Sequence, residues 1–138
     1  YAAQLLGHLV GRMIWLRRHN ARETPKAEQR VLQTIEHIRA TLDTPLELAA
    51  MASLSKLSPS HYSALFRQLT GHSPKNYVTR LRIHRAAQLL GTTNHRVKTI
   101  AAMLGYDDAL YFSRLFRRIN GKSPSAHRRP ETRRKPNR

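Results

Sequence analysis

A fourteen-residue pattern occurs twice in this chain. Residues 61–74 read HYSALFRQLTGHSP and residues 111–124 read YFSRLFRRINGKSP. Ser63, Leu65, Phe66, Arg67, Gly71, Ser73 and Pro74 thus return fifty positions later as Ser113, Leu115, Phe116, Arg117, Gly121, Ser123 and Pro124. A repeat of this kind is one supersecondary unit used twice, which confines the chain to folds built by duplicating a small motif. In both copies the apolar residues come at intervals of three and four. The first has Tyr62, Leu65, Phe66 and Leu69, and the second has Leu110 or Tyr111, Phe112, Leu115, Phe116 and Ile119. That is the period of a helix with one buried stripe.

The flanks say where each helix starts and stops. Ser58-Pro59 supplies a cap and a first helical residue, and Asp107 or Asp108 supplies the cap of the second copy. Gly105 stands where the preceding helix needs a residue tolerant of positive φ. Each copy follows a short apolar helix, marked by Leu48-Ala49 in the first and Ile100-Ala101 in the second. On that register the first short helix covers 46–53 with Leu48, Ala49 and Ala52 inward, and the turn at 54–57 is two residues longer than its counterpart. A short helix, a tight turn and a second helix exposing cations and hydroxyls are the parts of a helix-turn-helix. One copy alone would also suit a solvated basic helix. Two in tandem favour groove reading.

Charge separates the two ends of the chain. The formal net charge is +17 over 138 residues. Residues 58–138 carry 17 Lys or Arg against three acids, while residues 1–57 carry 8 against five. The repeat half is the basic half, as expected of a domain that neutralises phosphates and releases counterions.

Composition excludes several chemistries. There are no cysteines, hence no disulfide framework, thiolate nucleophile or cysteine-bearing zinc site. The eight histidines show no paired spacing with carboxylates, so no metal and no cofactor is expected. The scattered acids do not suit two-metal phosphoryl chemistry, and the chain is read as a non-enzyme. The apolar segment 5–16 is too short to span a bilayer and is broken by Gly7, His8, Gly11 and Arg12, which argues against a membrane partner.

In chain order, residues 1–19 read as the terminal helix of a truncated N-terminal domain, with Leu5, Leu6, Leu9, Val10, Met13, Ile14 and Leu16 in one stripe. Residues 20–26 read as a linker. A firm helix follows over 27–42. A long helix over 74–90, started by Ser73-Pro74 and stopped at Gly91, lies between the two motifs and is expected to set their spacing at about one DNA turn, ~34 Å. Residues 130–138 are charged, contain proline and lack apolar residues, so a disordered basic tail is expected there.

The stretches R-I-x-x-A-x-x-L-L at 82–90 and I-A-x-x-x-G-Y-x-D-x-x-Y-F-S-R-x-F-R-R-x-x-G-x-S-P at 100–124 resemble the DNA-binding domain of the AraC/XylS family of bacterial transcription regulators. The resemblance covers residues 27–129. It implies an all-α fold of about seven helices in two helix-turn-helix subdomains joined by the long helix, preceded here by one extra N-terminal helix. Recognition helices at 58–69 and 108–119 would read adjacent major-groove segments. Carried over by position, Ser60, Ser63, Ala64 and Arg67 of the first and Leu110, Ser113, Arg114 and Arg117 of the second would face DNA. Ala64 stands where the family often has arginine, the place Arg114 fills in the second unit. Arg80, Arg82 and Arg118 are candidates for phosphate contacts. The resemblance further implies a double-stranded operator, activation through RNA polymerase, a possible homodimer through the N-terminal part, an effector bound only in that missing part, and a cytoplasmic, nucleoid-associated protein. The alternatives are a nonspecific architectural DNA binder and the DNA-targeting part of a transposase-like enzyme.

Overall fold

The computed structural model describes residues 26–128, and all seven helices in that span are α-helical. They are α1 (Lys26–Ala40), α2 (Leu48–Leu54), α3 (Pro59–Thr70), α4 (Pro74–Thr92), α5 (Val97–Met103), α6 (Ala109–Asn120) and α7 (Pro124–Arg128). No strand occurs among the described residues, as the all-α expectation requires. The extra N-terminal helix, most of the linker and the basic tail lie outside them.

The chain divides between Arg82 and Ile83, inside the unbroken helix α4. The first unit closes α1, α2, α3 and the start of α4 around Val31, Ile35, Ile38, Met51, Ala52, Tyr62, Phe66, Leu69, Tyr77, Val78 and Leu81. The second closes the end of α4 with α5 and α6 around Ile83, Ala86, Leu90, Ile100, Ala101, Leu104, Phe112, Leu115 and Phe116. Each repeat has an edge-on ring contact at matching places, between two buried rings in the first and between buried Phe116 and exposed His127 in the second. Phe66 meets Tyr77 at 5.3 Å and 82°, a buried pair contributing about 0.5–1.5 kcal/mol beyond area burial, and Phe116 meets His127 at 5.6 Å and 76°.

Chain ends of the repeated helices are built alike. Ser58 Oγ accepts from the His61 amide at 3.2 Å, and Asp108 Oδ1 accepts from the Leu110 and Tyr111 amides at 2.9 and 3.0 Å. At the other end Gly71 and Gly121 take φ of 80° and 79°, and each amide donates to the carbonyl of Arg67 or Arg117 at 2.7 Å. The left-handed conformation turns the chain toward the next Ser-Pro start.

Four expectations need correction. The first turn is not the longer one: Met51-Ala52, not Leu48-Ala49, are the counterparts of Ile100-Ala101. Three backbone hydrogen bonds set that register, because Ser55 to Met51, Lys56 to Ser53 and Leu57 to Ala52 match Leu104 to Ile100, Gly105 to Ala102 and Tyr106 to Ala101. Four residues separate α2 from α3 and five separate α5 from α6. Leu48 and Ala49 are exposed, and Lys56 holds with φ 55° the left-handed place that Gly105 holds with φ 85°. In an alanine-rich run the apolar period has no phase, so the inward residues could not be picked out.

The second correction is that α4 runs through Gly91 to Thr92. The Thr92 and Thr93 hydroxyls donate to the Gln88 and Leu89 carbonyls at 2.8 and 2.6 Å, and the Thr93 amide also donates to Leu89 at 2.9 Å, so the last turn past Gly91 is tied by side chains as well as by the main chain. The third is that neither Leu110 nor Tyr111 belongs to the buried stripe of α6, being 62% and 56% exposed. The fourth concerns Arg82, described with the interface below.

Candidate nucleic-acid interface

Fifty residues apart, α3 and α6 show the same alternation of burial, which sets their outward rows. Tyr62 and Phe66 are buried like Phe112 and Phe116, Ser63 and Ser113 are half-buried, and Ser60, Ala64 and Arg67 are exposed like Leu110, Arg114 and Arg117. Positions four and seven residues apart share a helix face. Ser60, Ala64 and Arg67 therefore form one row, and Leu110, Arg114 and Arg117 form the other. All eight side chains named from sequence as DNA-facing reach solvent at least in part. The same period adds His61 and Gln68 on α3, exposed residues that sequence reasoning passed over although one more step of the period would have found them, and Tyr111 on α6, which the sequence offered for the buried stripe.

The rows differ in chemistry. Row one offers a hydroxyl, a methyl and a guanidinium; row two offers an isobutyl group and two guanidinium groups. Arg114 has five donors in a fixed fork, which fits the O6 and N7 acceptors of guanine, while Ala64 has none. The helix starts differ too. Asp108 places a carboxylate at the N-cap of α6 and offsets the positive end of the helix dipole, whereas Ser58 caps α3 without charge.

Of the three phosphate candidates, Arg118 is exposed on α6 beside Arg117. Arg80 is half-buried on α4 and lies close enough to His72 that, after burial itself, it is the main cause holding the imidazole below its ordinary pKa, with Arg67 next. Arg67 and Arg80 thus gather positive charge around His72, whose charged form they disfavour, where α3 gives way to α4. Arg82 has a different task. Its Nε donates to the Leu42 carbonyl at 2.7 Å and its Nη2 to the Thr44 carbonyl at 2.6 Å, so the guanidinium clamps the α1–α2 connection. Sequence periodicity could not distinguish an arginine aimed at phosphate from one aimed at two carbonyls of its own chain.

Among the described residues no group of three His, Asp or Glu side chains is placed to hold a metal ion. Nor is any described helix long and apolar enough to cross a membrane.

Residues 48–130 match the family described as Helix-turn-helix domain. The chain is 39% identical over 105 residues to the Arabinose operon regulatory protein of Escherichia coli, covering 75% of this chain and 36% of that protein. It is 38% identical over 92 residues to the MmsAB operon regulatory protein of Pseudomonas aeruginosa, covering 67% of this chain and 30% of that one. The chain therefore spans about a third of the length of these curated relatives. Among solved structures it resembles the DNA-binding domain of AdpA, a global transcriptional factor, in complex with a target DNA, with a TM-score of 0.67, 26% identity, and coverage of 71% of this chain and 88% of that one.

Proposed function

The chain belongs to the AraC/XylS family of helix-turn-helix transcription regulators, and from that premise we propose that it binds double-stranded DNA sequence-specifically through α3 and α6 and thereby regulates transcription. The observation that carries the proposal is the pair of matched outward rows, on which groups able to contact base edges stand beside arginines suited to phosphate. The base-facing residues are Ser60, Ser63, Ala64 and Arg67 in the first unit and Leu110, Ser113, Arg114 and Arg117 in the second. Arg80 and Arg118 contact phosphate, and Arg82 is withdrawn from that role. The names of the relatives support regulation of an operon, and the AdpA complex supports DNA as the ligand.

As part of the same proposal, residues 1–19 end an N-terminal sensing or dimerising domain, residues 27–129 act as the DNA-binding domain, and activation proceeds through RNA polymerase in the cytoplasm. Selection from a random duplex pool, followed by footprinting of the enriched sequence, tests the binding. The expected result is one enriched sequence with two protected major-groove segments. Equal retention of all duplexes would make the protein an architectural binder.

A further inference from the structure

We propose that Leu110 reads the 5-methyl group of a thymine, so that the second unit selects thymine close to the guanine contacted by Arg114. The inference rests on the DNA-binding reading above and adds the base chemistry of one contact. Among the described residues five large apolar side chains are notably exposed: Leu48, Leu54, Met103, Leu110 and Tyr111. Of these, Leu110 shares the outward row of α6 with Arg114 and Arg117, and it is 62% exposed. Four helical residues advance about 6 Å along the axis, and stacked bases advance ~3.4 Å, so Leu110 and Arg114 fall one to two base steps apart.

The major-groove edges of the bases carry donors and acceptors, and thymine alone adds a methyl group. A leucine has nothing to give a donor or an acceptor. Placed over guanine, adenine or cytosine it would strip water from a polar edge without replacing the lost hydrogen bond, and placed over thymine it buries apolar surface on apolar surface. At the equivalent place in the first unit stands Ser60, whose hydroxyl both donates and accepts and so discriminates little. One turn further on the assignment is reversed, with Ala64 apolar and Arg114 polar. The two recognition helices thus exchange their apolar and polar readers, and the two half-sites of the target differ in sequence for that reason.

The test uses the whole chain and the duplex enriched from the random pool. Each thymine in the segment protected by α6 is replaced singly by deoxyuridine, which keeps the hydrogen-bonding edge and loses only the methyl group. One replacement is expected to weaken binding by about fourfold, the equivalent of ~0.8 kcal/mol for one buried methyl group. The same replacement should change binding of Leu110→Ala by less than about 1.5-fold, because the methyl group then has no partner. Leu110 is exposed and alanine is a strong helix former, so the variant keeps its fold. Enrichment of a sequence at which every thymine tolerates deoxyuridine, or whose α6 segment lacks thymine, would overturn this inference and leave specific binding standing. So would an undiminished deoxyuridine penalty in Leu110→Ala. A pool with no enriched sequence would overturn both.

Discussion

The Tyr62 phenol donates to the Thr34 hydroxyl at 2.8 Å inside the first core, because the single hydroxyl proton of Thr34 already goes to the Val31 carbonyl at 2.6 Å. Both side chains are buried. In the second core the repeat puts Phe112 where Tyr62 stands, a buried ring with no hydroxyl to make such a bond. One unit is therefore latched by a polar contact that the other replaces with apolar packing.

Removing the acceptor should harm more than removing the pair. Thr34→Val leaves the buried phenol without an acceptor and is expected to cost about 1–3 kcal/mol, whereas Tyr62→Phe should cost about 1 kcal/mol. The double variant Thr34→Val/Tyr62→Phe, which makes the first core resemble the second, should be more stable than Thr34→Val alone. Urea unfolding followed by circular dichroism decides it, and strictly additive losses would show that the hydrogen bond does not govern this site.

Backbone conformation gives a second expectation, of stabilisation. Lys56 holds φ 55° with a side chain, and Lys56→Gly should stabilise the first unit by about 1 kcal/mol by removing that strain. Gly91 lies inside α4 with nothing within 4 Å of where a Cβ would stand, so Gly91→Ala should add roughly 0.5 kcal/mol. Thermal melts of the two variants read both effects. A lower melting temperature for Lys56→Gly would mean that the lysine side chain contributes more than its backbone costs.

Three arginines should fail in three different ways. Arg114→Ala is expected to weaken specific binding by about 10- to 100-fold and to relax preference at one base pair, as the loss of a bidentate guanine contact implies. Arg80→Ala should weaken all sequences alike and make the salt dependence shallower by about one counterion. Arg82→Ala should leave the salt slope unchanged but destabilise the fold by about 1–2 kcal/mol through its two lost carbonyl contacts, and Arg82→Lys should recover only part of that loss because lysine lacks the fork. Binding at two salt concentrations together with unfolding curves distinguishes the three. A reduced salt slope in Arg82→Ala would return that residue to the phosphate set.

Stability should fall as the pH drops from 7 toward 5.5. Burial lowers the pKa of His72 and His84 below 6.5, with Arg80 and Arg67 adding to the effect at His72. The unfolded chain therefore takes up protons at these sites before the folded chain does. Their contribution is fully present above pH 6.5 and is lost as the pH falls through the depressed folded values. His84, whose Nδ1 is buried without a partner, is the clearer probe. His84→Gln should flatten the dependence of melting temperature on pH, and an unchanged slope would place the acid sensitivity elsewhere.

Much of the site was legible in the sequence because local signals there agree. Ser58 and Asp108 cap the recognition helices, Gly71 and Gly121 end them, and the three-and-four spacing around Phe66 and Phe116 fixes which side is buried and so which residues face outward. Those features depend on a few neighbouring residues. A single sequence states them directly, and the repeat states them twice.

What the tertiary structure alone decided depends on residues far apart in the chain or on weak local preference. Alanine suits a buried or an exposed face equally, so the packing of Met51 and Ala52 into the first core, not the composition of α2, set the register of the first turn. Lys56 follows α2 into a conformation that sequence rules give to glycine, because the hydrogen bonds from Lys56 to Ser53 and from Leu57 to Ala52 outweigh its strain. Leu110 looks like a core residue by type and is exposed by its place on α6. Arg82 looks like a phosphate ligand by charge, yet it closes on carbonyls 38 and 40 residues away, a pairing that only the folded chain brings together.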